Sequence, residues 1–266
     1  MGTILDEIVR TKKAEVEQAR LARPLAEVER AATSAAPPRD FLAALTRTKG
    51  DVCLIAEIKK SSPSAGLIRE DFEPVAIART YERCGAAALS VLTDRTYFSG
   101  ELAFIEQVKR AVALPVLRKD FIIDEYQVLE SRAAGADALL LIAAILSPRQ
   151  IDAFSRRAAD LGMALLIEVH NQSELEAVRS FIHCDRRTIL GINNRDLHRQ
   201  RVDLETTVTL AQMLPPGTPF VAESGIKSRA DVQRVAGAGA AAVLIGETFV
   251  RATDIEAEVR TVMGWR

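Results

Sequence analysis

The sequence predicts an α/β fold, a (β/α)₈ barrel of the TIM type preceded by an N-terminal helical extension, and three observations support this prediction. After residue 51, eight short runs of β-branched and aliphatic residues alternate with amphipathic stretches. These runs are apolar on both faces, as parallel strands are when crossover helices cover them. The stretches CGAAALSVL, AGADALLLI and AGAAAVLIG also repeat one unit, a helix-ending glycine followed by a strand. A chain of 266 residues suits one closed barrel.

The first 50 residues have a helical pattern instead. Ile4 and Ile8 recur at helical spacing among charged residues, and a second helical stretch, LAEVERAA, follows Pro24. The segment APPRD then interrupts the pattern, and Asp40 is a candidate cap for a short helix in FLAALTRT. We therefore expect a helical extension over residues 1–50.

The barrel units follow in order, each a strand and then a helix. The predicted strands are VCLIAEI, AAALSVL, PVLRKD, DALLLIA, MALLIEV, TILGIN, PFVAES and AAVLIG. The predicted helices are VAIARTYERC, LAFIEQVKRAV, YQVLESRAA, PRQIDAFSRRAADLG, SELEAVRSF, LETTVTLAQML, RADVQRVAGAG and IEAEVRTVM. A doubly wound open sheet is the alternative architecture. The first strand, however, is followed by KKSSPSAG and not by the glycine-rich dinucleotide fingerprint.

Charge, hydropathy and cysteine content limit the partners and the compartment. Lys plus Arg number 35 and Asp plus Glu number 36, so there is no excess of positive charge to bind nucleic acid. The longest apolar run, ALLLIAAIL, is far shorter than the roughly 20 residues of a membrane-spanning helix, and the N-terminus does not resemble an export signal. Cys53, Cys84 and Cys184 show no paired spacing, which favours a reducing compartment, the cytosol. The balanced charge permits a monomer or a weak homodimer.

Charged and polar residues gather at the carboxyl ends of the predicted strands, where barrels of this class place their active sites. In chain order these residues are Glu57, Lys59, Lys119, Glu168, Asn193, Arg195, Glu223, Ser224 and Gly246. A structural ion pair is the usual explanation for a single buried charge. Six charges in one small mouth instead favour a polar ligand that shares the cost of burying them.

Acid–base chemistry is the function that this arrangement suggests. Glu57 and Lys59 are two residues apart and project to the same side of their strand. Carboxylate and ammonium groups that are crowded together shift each other's pKa, as general acid and base catalysis requires. Lys119 is the candidate acid, and Glu57 and Glu168 are candidate bases. A Schiff-base aldolase and a catalytically silent barrel that regulates a partner are the alternatives.

Three features together indicate a phosphorylated small-molecule substrate. The segment SSPSAG places Ser62 and Ser64 in a turn of small residues, and Gly225 and Gly246 follow the last two strands, where barrels often bind phosphate. Each glycine alone is equally well explained by an ordinary tight turn.

Aromatic and metal-binding signals are weaker. Phe98 and Phe121 follow the second and third strands, where stacking on an aromatic substrate and packing within a loop are equally good explanations. His170, His183 and His198 share no ligand spacing, so we expect surface or capping positions for them and no metal site.

The chain closely resembles the indole-3-glycerol phosphate synthases of tryptophan biosynthesis in seven motifs. In chain order these are EIKKSSPSAG, LTDRTYFSG, VLRKDFIIDEYQV, LIEVHN, LGINNRDL, VAESGI and VLIGE. The resemblance spans nearly the whole chain. It implies ring closure of 1-(2-carboxyphenylamino)-1-deoxyribulose 5-phosphate to indole-3-glycerol phosphate, with release of CO₂ and water and without a cofactor. It also implies a single domain over residues 1–266, in which residues 1–50 cover the barrel mouth, and a single activity without a fused isomerase.

The resemblance also assigns roles to residues. Lys119 matches the general acid, and Glu57, Lys59 and Glu168 match further catalytic positions whose roles it leaves open. The positions that hold the substrate's carboxylate and hydroxyls correspond to Asn193, Arg195 and Glu223. The substrate- and phosphate-binding segments contain Ser62, Ser64, Ser224, Gly225 and Gly246, and the aromatic pocket contains Phe98 and Phe121. Some relatives have a small hydroxyl residue where this chain has Glu247, and we expect only the backbone N–H of Glu247 to contribute, because its carboxylate would repel a phosphate.

Overall fold

The computed structural model describes residues 3–46, 52–182, 187–196 and 201–265, and it confirms the predicted barrel. Ten strands lie within these ranges: β1 (Cys53–Ile58), β2 (Ser61–Ser62), β3 (Gly66–Leu67), β4 (Ala88–Leu92), β5 (Val116–Lys119), β6 (Ala138–Ile142), β7 (Ala164–Val169), β8 (Thr188–Asn193), β9 (Phe220–Glu223) and β10 (Ala242–Ile245). Eight of them, β1 and β4 to β10, correspond to the predicted strands. Each pairs in parallel with its neighbours, and the barrel closes where β10 pairs with β1. The hairpin of β2 and β3 is additional.

Thirteen helices occupy the same part of the chain: α1 (Ile4–Ala22), α2 (Leu25–Ser34), α3 (Phe41–Leu45), α4 (Pro74–Cys84), α5 (Arg95–Phe98), α6 (Ala103–Ala111), α7 (Glu125–Ala133), α8 (Pro148–Asp160), α9 (Gln172–Val178), α10 (Glu205–Ala211), α11 (Arg229–Gly237), α12 (Glu247–Arg251) and α13 (Ile255–Met263). The predicted barrel helices are α4, α6 to α11 and α13. Helices α5 and α12 were not predicted because, at four and five residues, they are too short to show a helical period. Among the described residues, no helix has both the length and the apolar character needed to cross a membrane.

The repeated turn that the sequence predicts is present in the structure. Gly85, Gly135 and Gly239 follow α4, α7 and α11 with φ angles of 93°, 91° and 99°. Glycine adopts this left-handed conformation without the steric cost that a Cβ atom would add. The same turn therefore leads from three helices into the next barrel strands.

Two hydrophobic layers hold the barrel together. Outward-facing strand residues such as Leu54, Leu89 and Leu139 pack against the surrounding helices. Alternate residues such as Ile55 and Leu140 fill the interior. Because side chains alternate between the two faces of a strand, the inward rows continue to the carboxyl ends of the strands, at the barrel mouth.

The three helices of the extension lie at different places around the barrel. Helix α1 lies at the mouth, where Ile4 and Ile8 line a cavity. Helix α2 packs against α7 on the side of the barrel. Helix α3 lies at the opposite end, because Phe41 and Leu45 join the interior cluster and the Leu45 carbonyl accepts a hydrogen bond from Cys53 Sγ at the start of β1. Of the described residues predicted to cover the mouth, only those of α1 line the cavity.

Candidate active site

A cavity of about 640 Å³ opens at the carboxyl ends of the barrel strands. It is lined by every residue that the sequence analysis assigned to the site: Glu57, Lys59, Ser62, Ser64, Phe98, Lys119, Phe121, Glu168, Asn193, Arg195, Glu223, Ser224, Gly225, Gly246 and Glu247. Leu140, Ile142 and Leu244 contribute an apolar lining from the barrel interior. The tertiary structure therefore gathers these residues into one concave site.

Strand periodicity explains why acidic and basic side chains meet in this cavity. Glu57 lies two residues after the inward-facing Ile55, and Glu168 lies two residues after the inward-facing Leu166. Lys119 continues the inward row of β5 in the same way. Since the eight strands are parallel, their carboxyl ends meet at one end of the barrel.

Lys119 is the central cation of the site. Its Nζ donates a hydrogen bond to Glu168 Oε2 at 3.2 Å and lies 3.6 Å from Glu223 Oε2. Burial alone would lower the pKa of Lys119, but the carboxylates of Glu168, Glu223 and Glu57 outweigh burial and raise this pKa above its ordinary value. Lys119 is therefore a stable ammonium with a proton to donate.

Glu57 and Lys59 form a second pair at the end of β1. Lys59 Nζ donates a hydrogen bond to Glu57 Oε1 at 2.6 Å. Burial would raise the pKa of Glu57, but Lys59 and Lys119 together lower it. Gly246 makes room for this pair, because a Cβ atom at that position would lie 2.4 Å from Glu57 Oε1.

The prediction of a surface or capping position is wrong for His170. Its side chain is only 7% exposed, and its ring lies between two carboxylates. Nε2 is 3.2 Å from Glu168 Oε1 and Nδ1 is 3.0 Å from Glu174 Oε2. Burial would lower the pKa of His170, but the neighbouring carboxylates of Glu168 and Glu174 raise it to about 10. His183 and His198 lie outside the described residues.

Glu223 differs from the other carboxylates because neither of its buried oxygens receives a hydrogen bond. Burial and the nearby Glu168 raise the pKa of Glu223 to about 8, although Lys119 acts in the opposite direction. The side chain occupies a slot in β8 that Gly191 creates, since a Cβ atom there would lie 2.2 Å from Glu223 Oε1. Glu223 is therefore the carboxyl group of the cluster that most readily takes a proton.

The loops after β1 and β9, which the sequence analysis assigned to phosphate binding, both contain tight turns. The Ser62 hydroxyl accepts a hydrogen bond from the backbone N–H of Ala65 and so stabilises the β2–β3 hairpin. Ser224 and Gly225 are consecutive residues in the left-handed region, with φ angles of 64° and 79°. A Cβ atom on Gly225 would lie 2.3 Å from Val202, so the chain needs glycine at this turn.

Cationic side chains surround the same end of the cavity. Arg195 Nη1 donates a hydrogen bond to Ser64 Oγ at 3.4 Å, and Lys227 and Arg251 also line the cavity. Glu247 pairs with Arg251 at 3.0 Å, which offsets the negative charge of its carboxylate. We predicted that only the backbone N–H of Glu247 contributes to binding, and this stays a prediction.

An aromatic wall lies across the mouth from this cationic end. The ring centroids of Phe98 and Phe121 are 6.1 Å apart, and the ring planes are inclined by 43°. Phe121 follows β5, which is opposite β9 in the closed strand order. The cavity therefore has an aromatic side, a charged centre and a cationic side.

The chain matches known proteins over almost its whole length. A family model described as indole-3-glycerol phosphate synthase covers residues 5–262. The indole-3-glycerol phosphate synthase of Desulfotalea psychrophila is 50% identical over 262 residues, which are 97% of this chain and 99% of that protein. The chain belongs to the indole-3-glycerol phosphate synthase family. The indole-3-glycerol phosphate synthase of Geobacillus thermodenitrificans is 46% identical to this chain, over 98% of this chain and 97% of its own length.

More distant proteins share the fold alone. The crystal structure of 3-hexulose-6-phosphate synthase from Salmonella typhimurium aligns with 80% of this chain and 98% of its own, with a TM-score of 0.64 and 14% sequence identity. At that identity the similarity supports the barrel architecture and carries no argument about chemistry.

Several residues of the cavity escaped the sequence analysis. Lys227 and Arg251 follow β9 and β10, and their positions after the strand ends were a signal that could have identified them. Ile4 and Ile8 look like ordinary helix residues in the sequence. Only the packing of α1 against the mouth brings them to the site.

Proposed function

We propose that this cavity closes the indole ring: it binds 1-(2-carboxyphenylamino)-1-deoxyribulose 5-phosphate and releases indole-3-glycerol phosphate, CO₂ and water. The observation that carries the proposal is the environment of Lys119. This buried ammonium faces Glu57, Glu168 and Glu223 in the centre of a cavity with an aromatic side and a cationic side. Family membership supports the same reaction.

The shape of the cavity favours one orientation of the substrate. The carboxyphenyl ring belongs against Phe98 and Phe121, because flat aromatic surfaces stabilise one another. The phosphate belongs near Lys59, Arg195 and Lys227, which supply positive charge on the opposite side of the mouth. The ribulose carbonyl then lies between the two ends, within reach of Lys119.

Ring closure needs an acid at the carbonyl. Lys119 donates a proton to the carbonyl oxygen as the ring carbon that bears the carboxylate attacks the carbonyl carbon. One carbon–carbon bond forms, and the carbonyl becomes a hydroxyl. The bond to the carboxylate then breaks, and its electron pair restores the aromatic ring as CO₂ leaves. The 3.2 Å and 3.6 Å separations of Lys119 from its partners are long for ion pairs, which leaves room for a substrate oxygen to replace one partner.

Dehydration completes the reaction and needs both a base and an acid. Glu57 and Glu168 are held as carboxylates by neighbouring cations, so both are suited to accept a proton. Lys59, which gives up no proton in ring closure, is suited to protonate the departing hydroxyl, and Lys119 can do so only after it regains a proton from solvent. The division of these roles between the two pairs stays open.

The same electrostatics weigh against a Schiff-base aldolase. An amine must lose its proton before it attacks a carbonyl, and active-site lysines of that class have a lowered pKa. The carboxylates around Lys119 raise its pKa instead.

The decisive experiment compares wild type, Lys119→Met and Lys60→Met with this substrate, in the absence of added metal or cofactor, and follows indole fluorescence. Lys60 does not line the cavity and serves as the matched control. We expect wild-type and Lys60→Met turnover to be similar. We expect Lys119→Met to turn over at least about 10²–10⁴ times more slowly, because it lacks the general acid, while its affinity for the product changes little.

Folded wild-type protein that forms no product would contradict the proposed reaction. Normal turnover with weakened binding in Lys119→Met would contradict the assignment of the acid alone. Three points stay predictions from the sequence: a single domain over residues 1–266, a location in the cytosol, and a monomeric or weakly dimeric state. Cys184, which contributed to the prediction of the cytosol, lies outside the described residues.

A further inference from the structure

We propose that His170 is a positioning residue for Glu168: its imidazolium, held between Glu168 and Glu174, keeps the Glu168 carboxylate ionised and directed at Lys119. The inference deepens the proposed function and rests on Glu168 as one of its bases. His170 itself does not line the cavity, so it acts through Glu168 and not on the substrate.

The positions of the two ring nitrogens are the first argument. Nε2 faces Glu168 Oε1 at 3.2 Å, and Nδ1 faces Glu174 Oε2 at 3.0 Å. A neutral imidazole has one N–H group and one lone pair, so one carboxylate would face a lone pair and be repelled. The positively charged imidazolium suits two carboxylates at once: it hydrogen-bonds Glu174 through Nδ1 and forms an ion pair with Glu168 through Nε2.

The second argument is that Glu174 is itself held in place. Its Oε2 also accepts a hydrogen bond from the backbone N–H of His170 at 2.8 Å, and its Oε1 accepts one from Asn171 Nδ2 at 2.7 Å. Asn171 in turn caps α9 by accepting a hydrogen bond from the backbone N–H of Glu174. The start of α9 therefore fixes Glu174, and Glu174 fixes the ring of His170.

The third argument concerns the two oxygens of Glu168. Oε2 meets Lys119 and Oε1 meets His170, so a different cation faces each oxygen. Glu57 and Glu223 also face this cluster, and three carboxylates compete for the ammonium of Lys119. The imidazolium resolves this competition, because it keeps Glu168 charged and leaves Glu223 as the carboxyl that takes the proton.

Histidine NMR on the full chain without substrate tests the charge of His170 directly. In ¹⁵N-histidine-labelled protein, the signals that disappear in His170→Asn identify the residue among the three histidines of the chain. We expect both nitrogens of His170 to show the imidazolium state at about pH 7, where an unperturbed histidine is largely neutral. In Glu174→Gln we expect His170 to lose its proton at a lower pH than in wild type. A neutral ring in wild type at that pH would overturn the inference.

Kinetics then separate positioning from a merely structural role. We expect His170→Asn to lower kcat by about 10- to 100-fold, a part of what a general base contributes, with KM changed by less than about threefold. The acid limb of kcat should move to higher pH, because Glu168 loses a cation that lowers its pKa. His170→Lys, which restores a positive charge, should move that limb back towards wild type.

The outcomes keep this inference separate from the proposed function. Glu176→Gln, which alters an exposed carboxylate paired with Gln172 on the same helix, is the matched control and should behave as wild type. A stability loss in His170→Asn with an unchanged pH profile would overturn the positioning role. An inactive wild type would overturn the proposed reaction, whereas the NMR result would still decide the charge of His170.

Discussion

Lys12 is buried and Lys119 is half-buried, and each faces three acidic side chains, but the two lysines lie in different surroundings. Lys12, on α1, contacts Glu15, Asp94 and Asp120 at 2.6, 2.7 and 3.0 Å and does not line the cavity. Lys119 lies farther from its partners and faces the cavity. In each case burial lowers the lysine pKa and the carboxylates raise it by more. A buried, paired lysine therefore does not by itself indicate an active site.

The difference lies in how completely the carboxylates are satisfied. Asp120 accepts hydrogen bonds from Thr93, Arg118 and its neighbour Phe121, in addition to its contact with Lys12. Burial would raise the pKa of Asp120, but Arg118 and Lys12 lower it to about 2. The side-chain oxygens of Glu223, beside Lys119, receive no hydrogen bond from the described residues. The Lys12 contacts hold α1 to the barrel; Asp120 is satisfied, and Asp94 Oδ2 has its ion pair with Lys12 without a hydrogen bond. The side-chain oxygens of Glu223 leave hydrogen bonds for a ligand to supply.

The largest expected effect that tests this comparison is on stability. Lys12→Met leaves buried carboxylates without their shared cation and should lower the free energy of unfolding by about 3–5 kcal/mol. Lys119→Met should lower it by less than about 2 kcal/mol, because the cavity is open to water, which can solvate the carboxylates that lose their cation. Urea unfolding of both variants and wild type measures the difference. Equal losses in the two variants would remove the distinction between the clusters.

Gly191→Ala tests whether the position of the Glu223 side chain in the cavity matters for turnover. The new Cβ would lie 2.2 Å from Glu223 Oε1 and must displace that side chain. We expect a stability loss of about 1–3 kcal/mol and a kcat lower by about 10- to 100-fold, because misplaced catalytic groups react slowly. Gly237→Ala is the matched control, since its Cβ would meet nothing within 4 Å. Wild-type kcat in Gly191→Ala would contradict a role for the position of Glu223.

The smallest expected effect is a change in how stability depends on pH. The pKa of Glu223 rises from 4.5 to about 8 on folding, so the folded state binds more protons than the unfolded state between these values. The contribution of Glu223 to stability is therefore fully present below about pH 4.5 and is lost as the pH rises through about 8. Glu223→Gln should remove this dependence. Unfolding measured across that pH range checks it, and an identical slope in the variant would show that another group titrates.

The two lysine clusters also show which features of the site can be predicted from sequence patterns and which cannot. Glu57, Lys119 and Glu168 were predictable as site residues, because a period of two carries each inward row to the strand end, and parallel strands end together. Lys119 was a candidate acid from its charge and position, and the family resemblance added the reaction in which it acts, since alternation says where a side chain points and not what it does. The β2–β3 hairpin was missed because strands of two residues show no alternation.

By itself the sequence determined the barrel, its eight strands and helices, the cap at Asp40 and the set of residues at the mouth, because these depend on local periodicity and turn chemistry. Only the tertiary structure decided which charges are satisfied. Lys12 meets Asp94 and Asp120, and Lys119 meets Glu168 and Glu223, from positions far apart along the chain. Hydrogen bonding and burial depend on such contacts, and they distinguish the cluster that holds the fold from the one that faces the substrate cavity.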